Sequence, residues 1–424
     1  MNIVRKLLRT EFFKNISILM SGNIIGQALT IASVPILSRL YTPSDFGTFS
    51  LVFTTISLFG YVACLGYDYS IMLPDTEHKA LNLLRISLFL LVCTSAIVFI
   101  VSFVVPDKIY TQLGQSGLIK YGWLIAPGVL LVGLSQTFTT WYNRHKNYKL
   151  LARNKIIQNS SVVSVNLAAG IINPGTWGLI LGYFSGQIVN VWLLVRKFKI
   201  SDLRFSLPEL KTSAREYKNF PLFLAPMLFL NTFSVNILVY FVSAYYGNDM
   251  VGHYSQAFKV IGYPLFIISS SFSMVYYQKL NASKDKKRIY LHSALISLVL
   301  GVVILLPVMI WGESLFSFFI GKQWLVAGKM AAIIAPLTIA SFVSSNVSQV
   351  YSVTRSNHWL LLWQAAYLIV AFIVIKQFSS SGIFQMLRYF VISGVAMYIL
   401  LNLLGYFILD KFENNKNSLD VISK

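Results

Sequence analysis

The stretch Gly22–Leu58 reads GNIIGQALTIASVPILSRLYTPSDFGTFSLVFTTISL, with two apolar runs on either side of a short polar segment. Each run belongs to a segment long enough to cross about 30 Å of hydrocarbon as an α-helix rising 1.5 Å per residue. Such segments recur along the whole chain, about twelve in all. We place them at 16–40, 46–72, 81–105, 118–140, 155–172, 176–195, 220–246, 251–277, 291–311, 324–351, 359–376 and 388–409.

The composition excludes the soluble globular classes, because only 12% of the 424 residues are charged and 56% are hydrophobic. The apolar runs are continuous, whereas a barrel strand needs only about ten residues of alternating polarity. We therefore predict an all-α polytopic membrane protein. The first run is too long for the core of a signal peptide, so we expect it to remain as a span.

The net charge of +20 is explained by topology. If the N-terminus is cytoplasmic, most of the 35 Lys and Arg fall in cytoplasmic loops, a strong positive-inside bias. The sequence thus predicts a multi-pass protein of a bacterial cytoplasmic (inner) membrane with both termini cytoplasmic. Nucleic acid is not an expected partner.

The two halves of the chain show a repeat at an offset of about 205 residues. LYTPSDFGTFS, which begins at Leu40, aligns with YYGNDMVGHYS, which begins at Tyr245, so that Gly47 matches Gly252. We predict an N-terminal six-helix lobe at 1–200, a cytoplasmic linker at 201–219, a C-terminal six-helix lobe at 220–410 and a cytoplasmic tail at 411–424. Repeats of this kind place the substrate between the lobes.

Ionisable residues at membrane depth are costly and mark functional paths. Once the Lys and Arg assigned to the loops on either side are set aside, three cations remain that we place inside spans: Arg39, Lys259 and Lys329. All three belong to the predicted outer half of the membrane, and we expect them to converge on one cavity that binds an anionic headgroup. The alternatives are snorkelling of Arg39 and Lys329 to the interface, and a structural pair between Lys259 and a carbonyl or hydroxyl group.

Asp68 is the carboxylate that we place within a span, near the cytoplasmic end of span 2. Either it pairs with a cytoplasmic Arg or Lys, or it is a coupling or gating site that takes a proton or cation. Catalytic, nucleotide-binding and metal-ligand motifs are absent from the sequence, so we expect neither an enzyme nor a cofactor.

The opening stretch, followed by GYDYSIMLP (Gly66–Pro74), resembles the O-antigen and capsular polysaccharide flippases of the multidrug/oligosaccharidyl-lipid/polysaccharide exporter superfamily. WGLILGYFSGQ (Trp177–Gln187) and VGHYSQAFKVIG (Val251–Gly262) extend the resemblance over most of the chain. It implies two six-helix bundles around a central cavity and an alternating-access cycle without ATP hydrolysis. In that family cationic residues lining the cavity engage the anionic substrate, and Arg39 and Lys259 occupy matching places. Asp68 stands where an acidic residue is common.

The implied function is a flippase for undecaprenyl-diphosphate-linked oligosaccharide, with membrane lipid, a polysaccharide polymerase and a chain-length regulator as further partners. The alternative is a proton- or cation-coupled exporter of small molecules, as in the multidrug branch of the superfamily. The cationic membrane interior favours the flippase. A third class, a structural membrane subunit without transport, also stays open.

Overall fold

The computed structural model describes residues 11–112, 114–198, 207–283, 285–354 and 356–422. The basic tail at 1–10, the start of the predicted linker up to residue 206, and the last two residues of the predicted tail lie outside the described residues. Within the described ranges every regular element is a helix. The chain divides into two compact units, one ending at Gly252 and the other beginning at His253.

The first unit contains nine α-helices within its described residues, and a tenth runs on into the second unit. They are α1 (Glu11–Leu40), α2 (Pro43–Gly60), α3 (Tyr67–Ser70), α4 (Glu77–Val104), α5 (Asp107–Gln112), α6 (Ile125–Arg144), α7 (Tyr148–Ile172), α8 (Thr176–Val195), α9 (Leu207–Glu216) and α10 (Ala225–Ala282). The second unit continues with α11 (Lys286–Ile320), α12 (Leu325–Val347), α13 (Gln349–Val353), α14 (Asn357–Phe378) and α15 (Ile383–Ile422).

Each predicted span overlaps a long helix, so the all-α polytopic fold is confirmed. Nine helical segments of the described residues are long and apolar enough to cross a membrane, and one of them, Phe220–Ser269, overlaps two predicted spans. Helices α2 and α7 stand at two further predicted spans but are not among the nine. Both carry many polar residues, which lowers their hydropathy although they form helices of 18 and 25 residues.

Gly247 divides α10 into two segments. Its φ of 83° and ψ of 171° are not helical, and a positive φ of this size is open to glycine at little cost. The break lies between the predicted spans 220–246 and 251–277, which explains how one continuous element accounts for two spans.

The predicted span 46–72 is wrong at its C-terminal end, because α2 stops at Gly60. The chain then turns through Leu65 and Gly66, whose φ angles are 48° and 78°, before the four-residue helix α3. Left-handed backbone cannot continue a right-handed helix. Asp68 therefore lies in a separate short helix and not inside the span.

Gly47 and Gly252 form a close helix contact within the first unit. A Cβ atom on Gly47 would overlap the carbonyl oxygen of Asn248, and one on Gly252 would overlap that of Pro43. At the predicted offset Pro43 corresponds to Asn248 and Gly47 to Gly252, so the contact is reciprocal between equivalent residues. The predicted lobes at 1–200 and 220–410 remain a prediction.

A buried cluster fixes one end of the first unit. Tyr67, Leu83, Trp141, Leu150 and Leu194 bring α3, α4, α6, α7 and α8 together, and α9 packs against the same cluster. The second unit has its own cluster around Tyr276, Tyr290 and Tyr351. The Tyr351 hydroxyl donates to the carbonyl of Leu401 at 2.6 Å.

Arg144 ties the connection between α3 and α4 to the end of α6. Its guanidinium donates to the carbonyl oxygens of Ile71 at 3.0 Å and Pro74 at 2.6 Å. It also lies 3.7 Å from the Glu77 carboxylate. The Arg144 side chain is only 15% exposed, so few water molecules can replace it as a donor.

Replacing Arg144 by methionine is expected to lower the free energy of unfolding by about 3 kcal/mol, because two poorly hydrated carbonyl groups lose their donors. The apparent unfolding temperature of the detergent-purified protein measures this. Arg153→Met, a change at an exposed arginine of α7, is the matched control and should leave that temperature unchanged. Equal unfolding temperatures for the two variants would contradict the assigned role of Arg144.

Candidate functional site

Arg39 lies in the last turn of α1, and its side chain is exposed. The chain beyond it is firmly held, because the buried Tyr41 hydroxyl donates to the carbonyl of Asn166 at 2.6 Å. Thr42 and Asp45 then form a capping box that starts α2. No ion pair joins Arg39 to a residue in the described part of the chain. Its guanidinium is therefore available to an anion from outside the protein.

Lys259 lies in the second segment of α10, twelve positions after the break at Gly247. At 1.5 Å per residue this places it about 18 Å along the helix. The Lys259 side chain is half-buried, and its neighbours Ala257 and Ile261 are buried. A cation so far from the helix end is costly unless it meets polar groups or water.

Lys329 lies in the second turn of α12, and its ammonium group stands 4.5 Å from the centre of the Phe384 ring. It also lines a cavity of about 580 Å³ together with residues from the start of α15, including Arg388. Lys329 and Lys259 belong to the second unit and Arg39 to the first. The predicted convergence of the three cations on one cavity therefore stays a prediction.

Asp68 is the second residue of α3, and only 1% of its surface is exposed. Its side chain lies beside Gln136 of α6, and its Oδ1 has no hydrogen-bond partner among the described residues. None of the described Lys and Arg residues forms an ion pair with it. The expected pairing of Asp68 with a cytoplasmic Arg or Lys is therefore not found, although it remains open for the residues outside the described ranges.

The segment that carries Asp68 also contacts the predicted linker. The Tyr67 hydroxyl donates to the carbonyl of Ala214 in α9 at 3.0 Å. A Cβ atom on Gly66 would meet the Leu224 side chain and the Phe220 carbonyl oxygen, each at 3.4 Å. The segment of Asp68 therefore lies next to both the linker helix and the residues just before α10.

Buried amide side chains form a further polar feature of the first unit, which ionisable residues alone do not reveal. Asn154 and Gln158 stand one turn apart on α7, and both are buried. The Lys155 ammonium donates to Gln158 Oε1 at 3.1 Å. The amide nitrogen and oxygen of Asn154, and Oε1 of Gln27 on α1, are buried without hydrogen-bond partners in the described part of the chain. We call Gln27, Asn154, Lys155 and Gln158 the polar seam.

Buried amides without partners are costly in an apolar setting, so water or a polar ligand is the natural partner of the polar seam. The seam runs along the contact of α1 with α7, where Gly26 faces Asn159 closely. The signal in the sequence was the spacing of Asn154 and Gln158 at i and i+4, which puts both amides on one helix face.

The nine long apolar helical segments among the described residues define a multi-pass membrane protein. Solved structures agree on the fold. The lipid II flippase MurJ in an inward closed conformation has a TM-score of 0.71 at 12% identity, over 90% of this chain and 85% of that one. An inward-facing multidrug resistance MATE transporter of the MOP superfamily has a TM-score of 0.65 at 12% identity, over 93% and 96% of the two chains. The predicted superfamily fold is thereby confirmed.

The sequence comparison is more specific. The model of the family described as "Polysaccharide biosynthesis protein" matches residues 36–329, and the chain belongs to this family. The succinoglycan biosynthesis transport protein ExoT of Rhizobium meliloti (strain 1021) is 20% identical over 328 residues. This match spans 72% of the chain and 62% of the length of that relative. The predicted resemblance to polysaccharide transporters of the superfamily is confirmed.

Proposed function

We propose that the protein is a flippase that moves undecaprenyl-diphosphate-linked oligosaccharide repeat units across a bacterial cytoplasmic membrane. The direction is from the cytoplasmic to the periplasmic leaflet, with both termini cytoplasmic. The observation that carries the proposal is the family match over residues 36–329, a stretch that contains Arg39, Lys259 and Lys329. Cations inside spans suit a diphosphate, whereas an exporter of cationic drugs needs carboxylates there.

The chemistry required is binding and release, with no covalent step, so we propose a transporter without enzymatic activity. Two unit charges of opposite sign 4 Å apart attract by about 4 kcal/mol at an effective dielectric constant of 20. One or two such contacts, from Lys259 and Arg39, hold a diphosphate and still let it leave. Amides of the polar seam offer donors and acceptors to sugar hydroxyls, while the polyprenyl chain stays in lipid.

We assign Asp68 a gating role. Its buried carboxylate lies on a segment that contacts the linker helix α9 and lies close to the residues just before α10. Loading or unloading of a proton or cation at Asp68 changes the charge buried there, and the change is transmitted through Tyr67 and Gly66. In the proposed cycle this helps to switch the protein between its inward- and outward-open states.

Asp68→Asn is expected to reduce transport about tenfold or more, since a switch that gains or loses one unit charge at a buried site is worth a few kcal/mol. The side-chain shape is kept, so the amount of protein in the membrane should not change. Surface polysaccharide, normalised to protein level, is the readout. Asp75→Asn, an exposed carboxylate on the same connection, is the control, and equal polysaccharide in both variants would refute the gating role.

Deletion of the gene in its native host tests the proposed function. We expect polyprenyl-linked repeat units to accumulate in the cytoplasmic leaflet and the surface polymer to disappear. Unchanged levels of both, together with altered tolerance to toxic compounds, would replace the flippase with a small-molecule exporter.

We further propose that a polysaccharide polymerase and a chain-length regulator act next. A subunit that only holds such a polymerase in place would tolerate every point substitution that leaves the complex intact.

A further inference from the structure

A cavity of about 580 Å³ lies at one end of the second unit, where α12 and α15 begin. Its size is in the range of small-molecule sites. Its lining combines two cations, polar groups and apolar side chains. The lining residues are Lys329, Ser381, Gly382, Ile383, Phe384, Gln385, Arg388, Tyr389 and Ile392.

The positive charge of the cavity comes from separate elements. Lys329 is on α12 and Arg388 on α15, and neither forms an ion pair with a carboxylate in the described ranges. Two like charges beside one cavity repel each other, so the arrangement favours an anion between them. An arginine side chain can also donate two parallel hydrogen bonds to a phosphate.

Backbone groups add to this charge. The Met386 N–H donates to the carbonyl of Gly382 at 3.0 Å, so Gly382 stands at the start of α15. The N–H groups of residues 383–385 come before the first intrahelical bond, and all three residues line the cavity. The N-terminus of a 40-residue helix therefore points its free donors and its partial positive charge toward the same space.

The cavity continues into an exposed apolar face of α15. Ile392 is 65% exposed, Ile399 53%, Leu403 50% and Phe407 64%. Their spacing of seven, four and four residues puts them on one side of the helix. Arg388 lies one turn before Ile392 on that side. A ligand with an anionic head in the cavity can thus lay an apolar chain along α15.

We propose that this cavity binds a phosphate group carried on a lipid. The head group lies between Lys329 and Arg388, and the acyl or prenyl chain follows Ile392 and the residues below it. The source is a membrane phospholipid or the polyprenyl carrier, and both present the same chemistry. The proposed orientation of the chain places the cavity in the outer leaflet, and this placement alone rests on the proposed function.

Lipid titrations of the full chain in a neutral detergent test the site, with native mass spectrometry as the readout. The probes are phosphatidylglycerol, undecaprenyl diphosphate and inorganic phosphate. We expect the double variant Lys329→Gln/Arg388→Gln to bind the lipids about tenfold more weakly or worse, since it loses two charge-assisted contacts. The control Lys322→Gln/Lys376→Gln removes two exposed cations from the same end of the second unit and should bind like the parent.

The outcomes separate the sources. If undecaprenyl diphosphate binds more tightly than phosphatidylglycerol and the double variant loses this binding, the cavity belongs to the polyprenyl carrier. If the double variant loses the binding of both lipids equally, the cavity belongs to a phospholipid. Unchanged lipid affinity in the double variant, or binding of inorganic phosphate alone, would overturn the proposal. If the double variant does not purify, the single variants Lys329→Gln and Arg388→Gln carry the same test. These measurements need no transport, so they can fail while the deletion phenotype stands.

Discussion

Alanine at Gly252 is expected to lower surface polysaccharide about tenfold or more while the protein still reaches the membrane. The added Cβ would overlap the carbonyl oxygen of Pro43 and approach the backbone nitrogen of Gly47. Backbone atoms cannot rotate away as a side chain can, so α2 and the second segment of α10 must move apart. Over-packing of this kind costs about 1–3 kcal/mol. It destabilises the conformation in which Gly47 and Gly252 are in contact.

The same reasoning predicts an equal effect for Gly47→Ala, because the contact is reciprocal. Gly262→Ala is the matched control, since nothing lies within 4 Å of its added Cβ and alanine is a better helix former. Wild-type polysaccharide from the Gly47 and Gly252 variants would show that the close contact is not needed.

Alanine at Lys259 is expected to lower transport about a hundredfold or more, because a contact of up to about 4 kcal/mol with the anionic headgroup is lost. Arg39→Ala should act in the same direction but less strongly, since Arg39 is exposed and its charge is better screened. Lys259→Arg keeps the charge and should retain most of the activity. Surface polysaccharide and the cytoplasmic pool of lipid-linked units are the two readouts.

Lys197→Ala, the loss of an exposed lysine just beyond α8, controls for a change in net charge and should have no effect. An alanine variant of Lys259 that is expressed normally and leaves both readouts untouched would remove this residue from the substrate path. Equal defects in Lys259→Ala and Lys259→Arg would show that packing, and not charge, is what the position requires.

The spans could be predicted from the sequence because a run of apolar residues has one stable form in lipid, the helix. The predicted span 176–195 coincides with α8, whose start is marked by Pro174 and Gly175. The end of α2 could not be predicted in this way. The apolar composition continues beyond Gly60, and only the structure shows that α2 ends there and that a turn with left-handed backbone at Leu65 and Gly66 follows.

A charge within an apolar run is visible in a sequence, whereas the partners of a side chain are not. Arg39, Lys259 and Lys329 were selected by their charge, and their role in substrate binding stays a prediction. Arg388 was missed because it stands near the start of a span, where an arginine is ordinary, and only the fold brings it beside Lys329. The polar seam was missed because its amides, Asn154 and Gln158, carry no charge. Only the structure shows that both are buried, which is costly for a polar group.

The most direct test of the central claim is a leaflet-accessibility measurement in vesicles. Purified protein is reconstituted with undecaprenyl-diphosphate-linked oligosaccharide in both leaflets, and periodate that cannot cross the membrane oxidises the sugars it reaches. We predict that the protein exposes nearly the whole pool to oxidation, whereas Lys259→Ala and protein-free vesicles expose only the outer-leaflet fraction. If vesicles with correctly folded protein leave the inner-leaflet oligosaccharide as protected from oxidation as protein-free vesicles do, the assignment as a flippase for this lipid is contradicted.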